Sequence, residues 1–399
     1  MSTWYHRAAW GLLRVLYAPR LVKSRRVEAA GLDMLPEPPF ILMADHSNAL
    51  DAYVLGALCG SPIRYMANLE GVSRARAVIA RIVGAYGHRK GASDIAALRE
   101  TFEISRSGDA IGLFPEGDRS WDGASLPLRP GAGKLARRLG VPLIIARQKG
   151  NYLSRPRWAA SERRGSWSVE FSAFGADELG RMPDALVDAI VAAALAKNEI
   201  KDADREGRDF ESDSCAAGVG RLLWRCPICG KADGIRGSGN EIRCGHCGSK
   251  WALDANCRVK PINTPHSLHR ASIADLKDWH DWQARTLGSL AQDGWGRAPA
   301  IVSDGVVLSR RQGASAQRIG RGKLFLDGWG SGAELVFEGG DGRAVFDASS
   351  IRGFVDNFNA FSEFDHRGQR WRVDFGGGNA LKWAVALSGA ASVEPEEAA

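Results

Sequence analysis

The chain has 399 residues, 45% hydrophobic and 25% charged, the balance of a folded chain of two or three domains rather than a disordered one. No uninterrupted apolar run approaches the ~18–20 residues of a membrane-spanning helix, and the longest candidates, 189–196 and 141–146, are far too short. With 53 Lys+Arg against 46 Asp+Glu the net charge is +7, so the placement of charge matters more than its total.

Residues 1–30 hold six cations and one anion, Glu28. Trp4, Tyr5, Ala8, Ala9, Leu12, Leu13, Leu16 and Tyr17 fit one broad apolar helical face. Such a segment suits the headgroup plane of an anionic membrane; the alternative is a terminal helix packed on its own domain with solvated cations. Arg7 and Arg14 interrupt the apolar stretch and no cleavage site follows, which argues against a signal peptide.

Residues 31–200 interleave short apolar or alternating runs (40–43, 63–66, 110–114, 141–146, 168–171) with helical stretches (93–105, 132–139, 184–198), as an α/β domain does. Residues 201–220 read as a polar linker or a solvated helix end, 221–260 as a cysteine module and 261–297 as a helical connector with Leu268, Ile273, Leu276, Trp279, Trp282 and Leu287 at helical spacing. Residues 298–390 are β-rich and end in an amphipathic helix near 379–387, and 391–399 form an acidic tail.

Two segments combine chemically. In His46-Ser-Asn-Ala-Leu-Asp51, after the run 40–43, a carboxylate five residues from an imidazole can fix its tautomer and leave the other ring nitrogen as a general base. Alone this spacing is common, and a capping His with a helix-face Asp is its plain structural reading. In Phe114-Pro-Glu-Gly-Asp-Arg-Ser120, again after a strand-like run, a glycine beside Glu116 and Arg119 suits an anionic, hydroxyl-bearing ligand. Residues 147–167 add six cations and one anion among Tyr152, Trp158 and Trp167; they could hold coenzyme A phosphates, rest on anionic lipid, or form a solvated basic loop.

Together the two segments resemble the glycerolipid acyltransferases of the lysophosphatidic acid acyltransferase type, over roughly residues 35–195. Gly84-Ala-Tyr-Gly-His-Arg89 is similar to the family's second block, and Gly140-Val-Pro-Leu-Ile-Ile145 to its fourth. The resemblance implies a mixed sheet flanked by helices, His46 and Asp51 as catalytic pair, and Arg89, Glu116, Gly117 and Arg119 as substrate-binding residues. It implies an acyl-CoA or acyl carrier protein donor and a lysophospholipid acceptor, 1-acylglycerol 3-phosphate, with phosphatidate as product. Asp45 stands where the family usually has Asn, Asp118 where it has Thr, and Ile145 where a second proline is common. The two extra carboxylates open a second acceptor class, such as an amino-acid or sugar lysolipid.

Four of the seven cysteines form Cys226-Pro-Ile-Cys229 and Cys244-Gly-His-Cys247, the spacing of a zinc ribbon in a reducing compartment, with all four positions filled by sulfur and hence a structural Zn2+. His246 reads as an exposed turn residue. Lys231, Arg236 and Arg243 between the pairs are too few for a nucleic-acid footprint, so no nucleic-acid partner is expected. The C-terminal strands with a closing helix anchored by Trp383 resemble a PH-like (GRAM-type) domain, which implies headgroup or partner binding; a purely structural β-domain fits equally. The expectation is a peripheral acyltransferase on the cytoplasmic face of a membrane, without a transmembrane span. The competing class is a non-catalytic membrane adaptor, for which His46, Asp51, Glu116 and Arg119 would have no joint use.

Overall fold

The computed structural model describes residues 4–68, 74–88, 95–264, 273–292, 301–312, 315–330, 332–340, 342–357 and 361–392. They fall into two compact units, Met1–Arg157 with Ser161–Ser212, and Trp158–Ala160 with Asp213–Ala399. Among the described residues no helix is long and apolar enough to cross a membrane.

The first unit begins with α1 (Trp4–Leu16) and α2 (Ala18–Ser24), separated where Pro19 in the first turn of α2 cannot extend the preceding ladder. The apolar face expected over 4–17 is divided. His6 and Trp10 are buried, and the Trp10 ring approaches Gly56 so closely that a Cβ there would lie 2.3 Å away. Leu12, Val15, Leu16 and Tyr17 stay exposed. So α1 packs inward by one stripe, helped by Arg7 paired to buried Asp109 at 2.7 Å, and leaves a second apolar stripe outward.

The chain continues through β1 (Val27–Ala30), β2 (Ile41–Ala44), α3 (Asp51–Cys59), β3 (Ile63–Asn68), α4 (Arg74–Ile82), β4 (Tyr86–His88), α5 (Ile95–Arg106) and β5 (Ala110–Leu113). Next come α6 (Ala132–Leu139), β6 (Leu143–Lys149), α7 (Asn151–Ser154), β7 (Trp167–Phe174), α8 (Ala176–Arg181), α9 (Asp184–Leu195) and α10 (Glu199–Arg205). The strands form a seven-stranded mixed sheet in the order β1-β7-β6-β2-β5-β3-β4. The β6–β7 pairing is antiparallel, and β6–β2, β2–β5, β5–β3, β3–β4 and β1–β7 are parallel.

The four side chains of β2 are all 0% exposed, because a central strand of such a sheet is covered on both faces. Leu42 and Ala44 face a cluster with Val54, Leu55, Ile144 and Ala146; Ile41 and Met43 face Leu143, Ile145, Ala136, Val187 and Val191. Sequence reading located the five strands with apolar or alternating runs to within a few residues. It passed over β1 and β4, which lie at the two edges and carry mixed residues. The segment 201–220, expected as a polar linker or a solvated helix end, is helical at its start, where α10 ends, and buries Phe210, Cys215, Ala216 and Val219.

In the second unit β8 (Ile235–Ser238), β9 (Glu241–Cys244), β10 (Lys250–Leu253) and β11 (Val259–Asn263) form a four-stranded antiparallel sheet. Helix α11 (Leu276–Gln292) follows; Leu268, expected on this helix, lies outside the described residues. Then come β12 (Val302–Gln312), β13 (Ser315–Asp327), β14 (Glu334–Gly339), β15 (Gly342–Asp347), β16 (Ile351–Asn357), β17 (Phe361–His366), β18 (Gln369–Asp374) and α12 (Leu381–Ser392). These seven strands pair antiparallel in the order β15-β14-β13-β12-β18-β17-β16. Trp383 of α12 is fully buried among Leu308, Leu324, Phe337, Phe364 and Val373, and its Nε1 donates to Ser303.

Candidate active site

Strands β6, β2 and β5 are adjacent and parallel, so the loops leaving their carboxyl ends share one edge of the sheet. The loop after β2 carries His46, the loop after β5 carries Glu116–Arg119, and the end of β6 leads through Gln148 to Asn151. Ser120 N donates to the His46 carbonyl at 2.9 Å, tying the first two loops together.

Asp51 opens α3 and is completely buried. Its Oδ2 accepts from His46 Nδ1 at 2.8 Å and from the backbone N–H groups of Ser47 and Asn48, each at 2.9 Å. Its Oδ1 accepts from Asn151 Nδ2 at 3.1 Å. A carboxylate with both oxygens committed is an acceptor only, so the imidazole donates from Nδ1, and in the neutral ring Nε2 is then the nitrogen free to accept a proton. Phe114 stacks on the imidazole at 4.0 Å between centroids, and the His46 side chain remains 23% exposed. The pair is held rigidly and still reached from outside.

Glu116 is buried, and its Oε2 accepts from Leu126 N at 3.0 Å. Burial pushes its carboxyl up to about 8; the Leu126 hydrogen bond opposes this and Asp45 adds to it. Near neutral pH the group is therefore largely a neutral acid, able to donate as well as accept. Gly117 follows at φ 72 in a turn closed by its N–H to the Phe114 carbonyl, a backbone region that favours glycine. Burial first, and neighbouring Arg157 second, lower Arg119 to about 10, which still leaves its guanidinium charged at neutral pH. Arg89 lies outside the described residues.

The two unusual carboxylates each have a cation. Asp118 Oδ1 accepts from Arg157 at 2.8 Å and from the Arg119 N–H at 2.7 Å, and Arg157 lies 4.3 Å over the Trp121 ring. Asp45 is 0% exposed; Lys197 Nζ meets its Oδ2 at 2.7 Å and Gln148 N donates to its Oδ1 at 2.8 Å. Each carboxylate thus has a cation beside it, Arg157 at Asp118 and, at Asp45, a Lys197 shared with Glu199.

The basic-aromatic run 147–167 is partly buried and partly paired, with Arg155 and Arg164 exposed. Tyr152, Trp158 and Trp167 are fully buried, Arg157 and Lys149 pair with Asp118, Glu170 and Glu206, and Arg155 pairs with Glu162. Two of its six cations, Lys149 and Arg157, are thus matched by acids distant in sequence, which a count over a short window cannot see.

In the second unit the Sγ atoms of Cys226, Cys229, Cys244 and Cys247 lie within 4.8 Å of one another. Cys226–Cys247 and Cys229–Cys244 are each 3.8 Å apart. Two thiolates at tetrahedral positions ~2.3 Å from a zinc ion lie ~3.8 Å apart, whereas a disulfide would bring them to ~2.05 Å. The cluster is thus compatible with a tetrathiolate zinc site. Each pair sits in a matching turn, with Gly230 N donating to the Cys226 carbonyl and Gly248 N to that of Cys244, both at 2.9 Å. His246 Nε2 lies 2.9 Å from the Ala232 carbonyl, away from a ligand role.

Residues 26–146 match the family model described as Acyltransferase. A chloroplastic 1-acyl-sn-glycerol-3-phosphate acyltransferase of Brassica napus is 26% identical over 130 residues, 30% of this chain and 36% of that protein. A 1-acyl-sn-glycerol-3-phosphate acyltransferase of Saccharomyces cerevisiae is 28% identical over 147 residues, 35% of this chain and 48% of that protein. The chain thus spans a third to a half of the length of these curated relatives. The 1-acyl-sn-glycerophosphate acyltransferase PlsC of Thermotoga maritima superposes with a TM-score of 0.39 at 20% identity, over 48% of this chain and 80% of that one.

Proposed function

We propose that this chain, whose residues 26–146 match the Acyltransferase family model, transfers a fatty acyl group to the free hydroxyl of 1-acylglycerol 3-phosphate, as the names of its relatives suggest. The donor is a thioester, acyl-CoA or acyl carrier protein, and the product is phosphatidate. The observation that carries the reading is the 2.8 Å contact between His46 Nδ1 and a fully buried Asp51, which leaves Nε2 as the base.

His46 Nε2 takes the acceptor hydroxyl proton as its oxygen attacks the thioester carbonyl, and Asp51 stabilises the imidazolium that forms. The tetrahedral intermediate expels the thiolate, which recovers that proton from the imidazolium. The acyl group passes directly from sulfur to oxygen, and no acyl-enzyme is required. Base catalysis of this kind contributes about 10²–10⁴-fold, and the holding of two substrates together supplies much of the remainder. Arg119 and Arg89 bind the acceptor phosphate, and neutral Glu116 hydrogen-bonds the glycerol portion. The pairing of Asp45 with Lys197 and of Asp118 with Arg157 favours the phosphate acceptor, since a neighbouring cation weakens the repulsion of each acid.

The outward apolar stripe Leu12, Val15, Leu16 and Tyr17, flanked by exposed Arg14, Arg20 and Lys23, lies on an anionic membrane surface and delivers the lipid acceptor. The four cysteines hold a structural Zn2+ in a ribbon, where the metal stabilises the second unit and takes no part in the chemistry. The antiparallel sheet closed by α12 is a PH-like module. The test is thiol release from acyl-CoA on vesicles with and without 1-acylglycerol 3-phosphate: acceptor-dependent release supports the reading, and acceptor-independent release opposes it.

A further inference from the structure

We infer that Asn151 and Lys197, both outside the segment matched to the family, are positioning residues that lock the His46–Asp51 pair; the inference rests on the reading of His46 as the base. Asn151 Nδ2 donates one hydrogen to Asp51 Oδ1 and the other to Asp45 Oδ2, both at 3.1 Å. Its Oδ1 accepts from Lys197 Nζ at 2.6 Å. The backbone carbonyl of Asn151 is held in turn by Asn48 Nδ2 at 2.8 Å, and Asn48 neighbours the pair.

The amide has a single workable orientation. Turned over, its oxygen would face two carboxylates and its NH2 group an ammonium, so all three contacts would become repulsive. Lys197 supplies the cation that fixes this choice. Its side chain is 2% exposed and sits 2.7 Å from Asp45, 3.0 Å from Glu199 and 3.0 Å from the Gln148 carbonyl. Burial alone would discharge it, but Asp45 and Glu199 outweigh that and hold it protonated.

Lys197 is itself fixed at both ends of its backbone unit. Its N–H donates to Ser125 Oγ at 2.9 Å and its carbonyl accepts from Ser125 N at 3.0 Å. The order of action is therefore Lys197 on Asn151, Asn151 on Asp51, and Asp51 on the imidazole. Asp45 next to His46 belongs to the same device, because an acid there gives the lysine a partner and the amide its second acceptor.

The test compares the full-length wild type with Asn151→Ala and Lys197→Met. Its two readouts are the His46 Nδ1–H resonance in a histidine-labelled proton–nitrogen spectrum, assigned with His46→Ala, and steady-state acyl transfer to 1-acylglycerol 3-phosphate. Both variants should move or broaden that resonance and lower kcat on the order of 10–100-fold, with KM for donor and acceptor within about threefold. Asn151→Ala leaves Lys197 paired directly with Asp45 and Glu199, so it keeps the buried charge balance and decides the matter if Lys197→Met does not fold. A folded Asn151→Ala protein with unchanged resonance and unchanged kcat overturns the inference. If wild type transfers to no acceptor, the proposed reaction fails, while the resonance still decides whether Asn151 and Lys197 hold the pair.

Discussion

Asp51→Asn is the perturbation whose consequence the geometry defines most closely. Oδ2 of Asp51 takes three donors, His46 Nδ1 and two backbone N–H groups, so the amide oxygen must occupy that position. The new NH2 group then points at Asn151 Nδ2, now 3.1 Å from Oδ1, and two donors face each other. One buried hydrogen bond becomes a mismatch, at a cost of about 1–3 kcal/mol in stability. The larger loss is in catalysis, because a neutral amide cannot offset the imidazolium formed as the hydroxyl is deprotonated. The equivalent neutralisation of a buried carboxylate behind a catalytic histidine lowers kcat by about 10⁴-fold in serine proteases, where the amide also selects the wrong tautomer. Here the amide oxygen keeps the tautomer and only the charge is lost, so a loss of about 10²–10³-fold is expected, or ~2.7–4 kcal/mol in the barrier. The assay is acyl transfer from acyl-CoA on vesicles, with thermal unfolding of the same preparation. A folded Asp51→Asn protein retaining activity within about tenfold of wild type would refute the charge-stabilised base.

Three further outcomes follow from the same geometry. Glu116 keeps its proton in the folded state up to about 8 but loses it near 4.5 when unfolded, so ionising it penalises the fold increasingly from about pH 4.5 to about pH 8. Glu116→Gln should therefore flatten the decline in unfolding temperature over that window, and parallel profiles for the two proteins would contradict the assignment. Stripping metal from the cysteine cluster, or Cys226→Ser with Cys244→Ser, should release one zinc per chain and unfold β8–β10, seen as lost amide protection there; full protection without metal would count against a structural tetrathiolate. Val15→Asp with Leu16→Asp should weaken binding to anionic vesicles at least about tenfold without lowering thermal stability, since both side chains face outward; unchanged vesicle binding would place the membrane contact elsewhere.

The two loops were legible in sequence because each is local: five residues separate His46 from Asp51, and Glu116 to Arg119 is a single turn after a continuous apolar strand. The two cysteine pairs were legible for the same reason. Asn151 and Lys197 were not, since the one lies 100 residues and the other 146 residues from Asp51 in the chain, and only the folding of β6 and α9 brings them together. Nothing in a window around Asn151 separates it from the basic-aromatic run in which it sits. In that run Lys149 and Arg157 read as bare cations, and only the fold pairs them with Glu170, Glu206 and Asp118. Asp45 and Asp118 read as extra charge for the same reason: a sequence shows a carboxylate, and only the fold shows its partner.

The most direct test of the central claim is acceptor-dependent thiol release by wild type beside His46→Ala. The His46 ring is partly exposed and its loss leaves Asp51 with three donors, so the variant should fold normally. Release from acyl-CoA that requires 1-acylglycerol 3-phosphate, yields phosphatidate and disappears in a folded His46→Ala protein is the predicted result. Equal phosphatidate formation by the two proteins would contradict it.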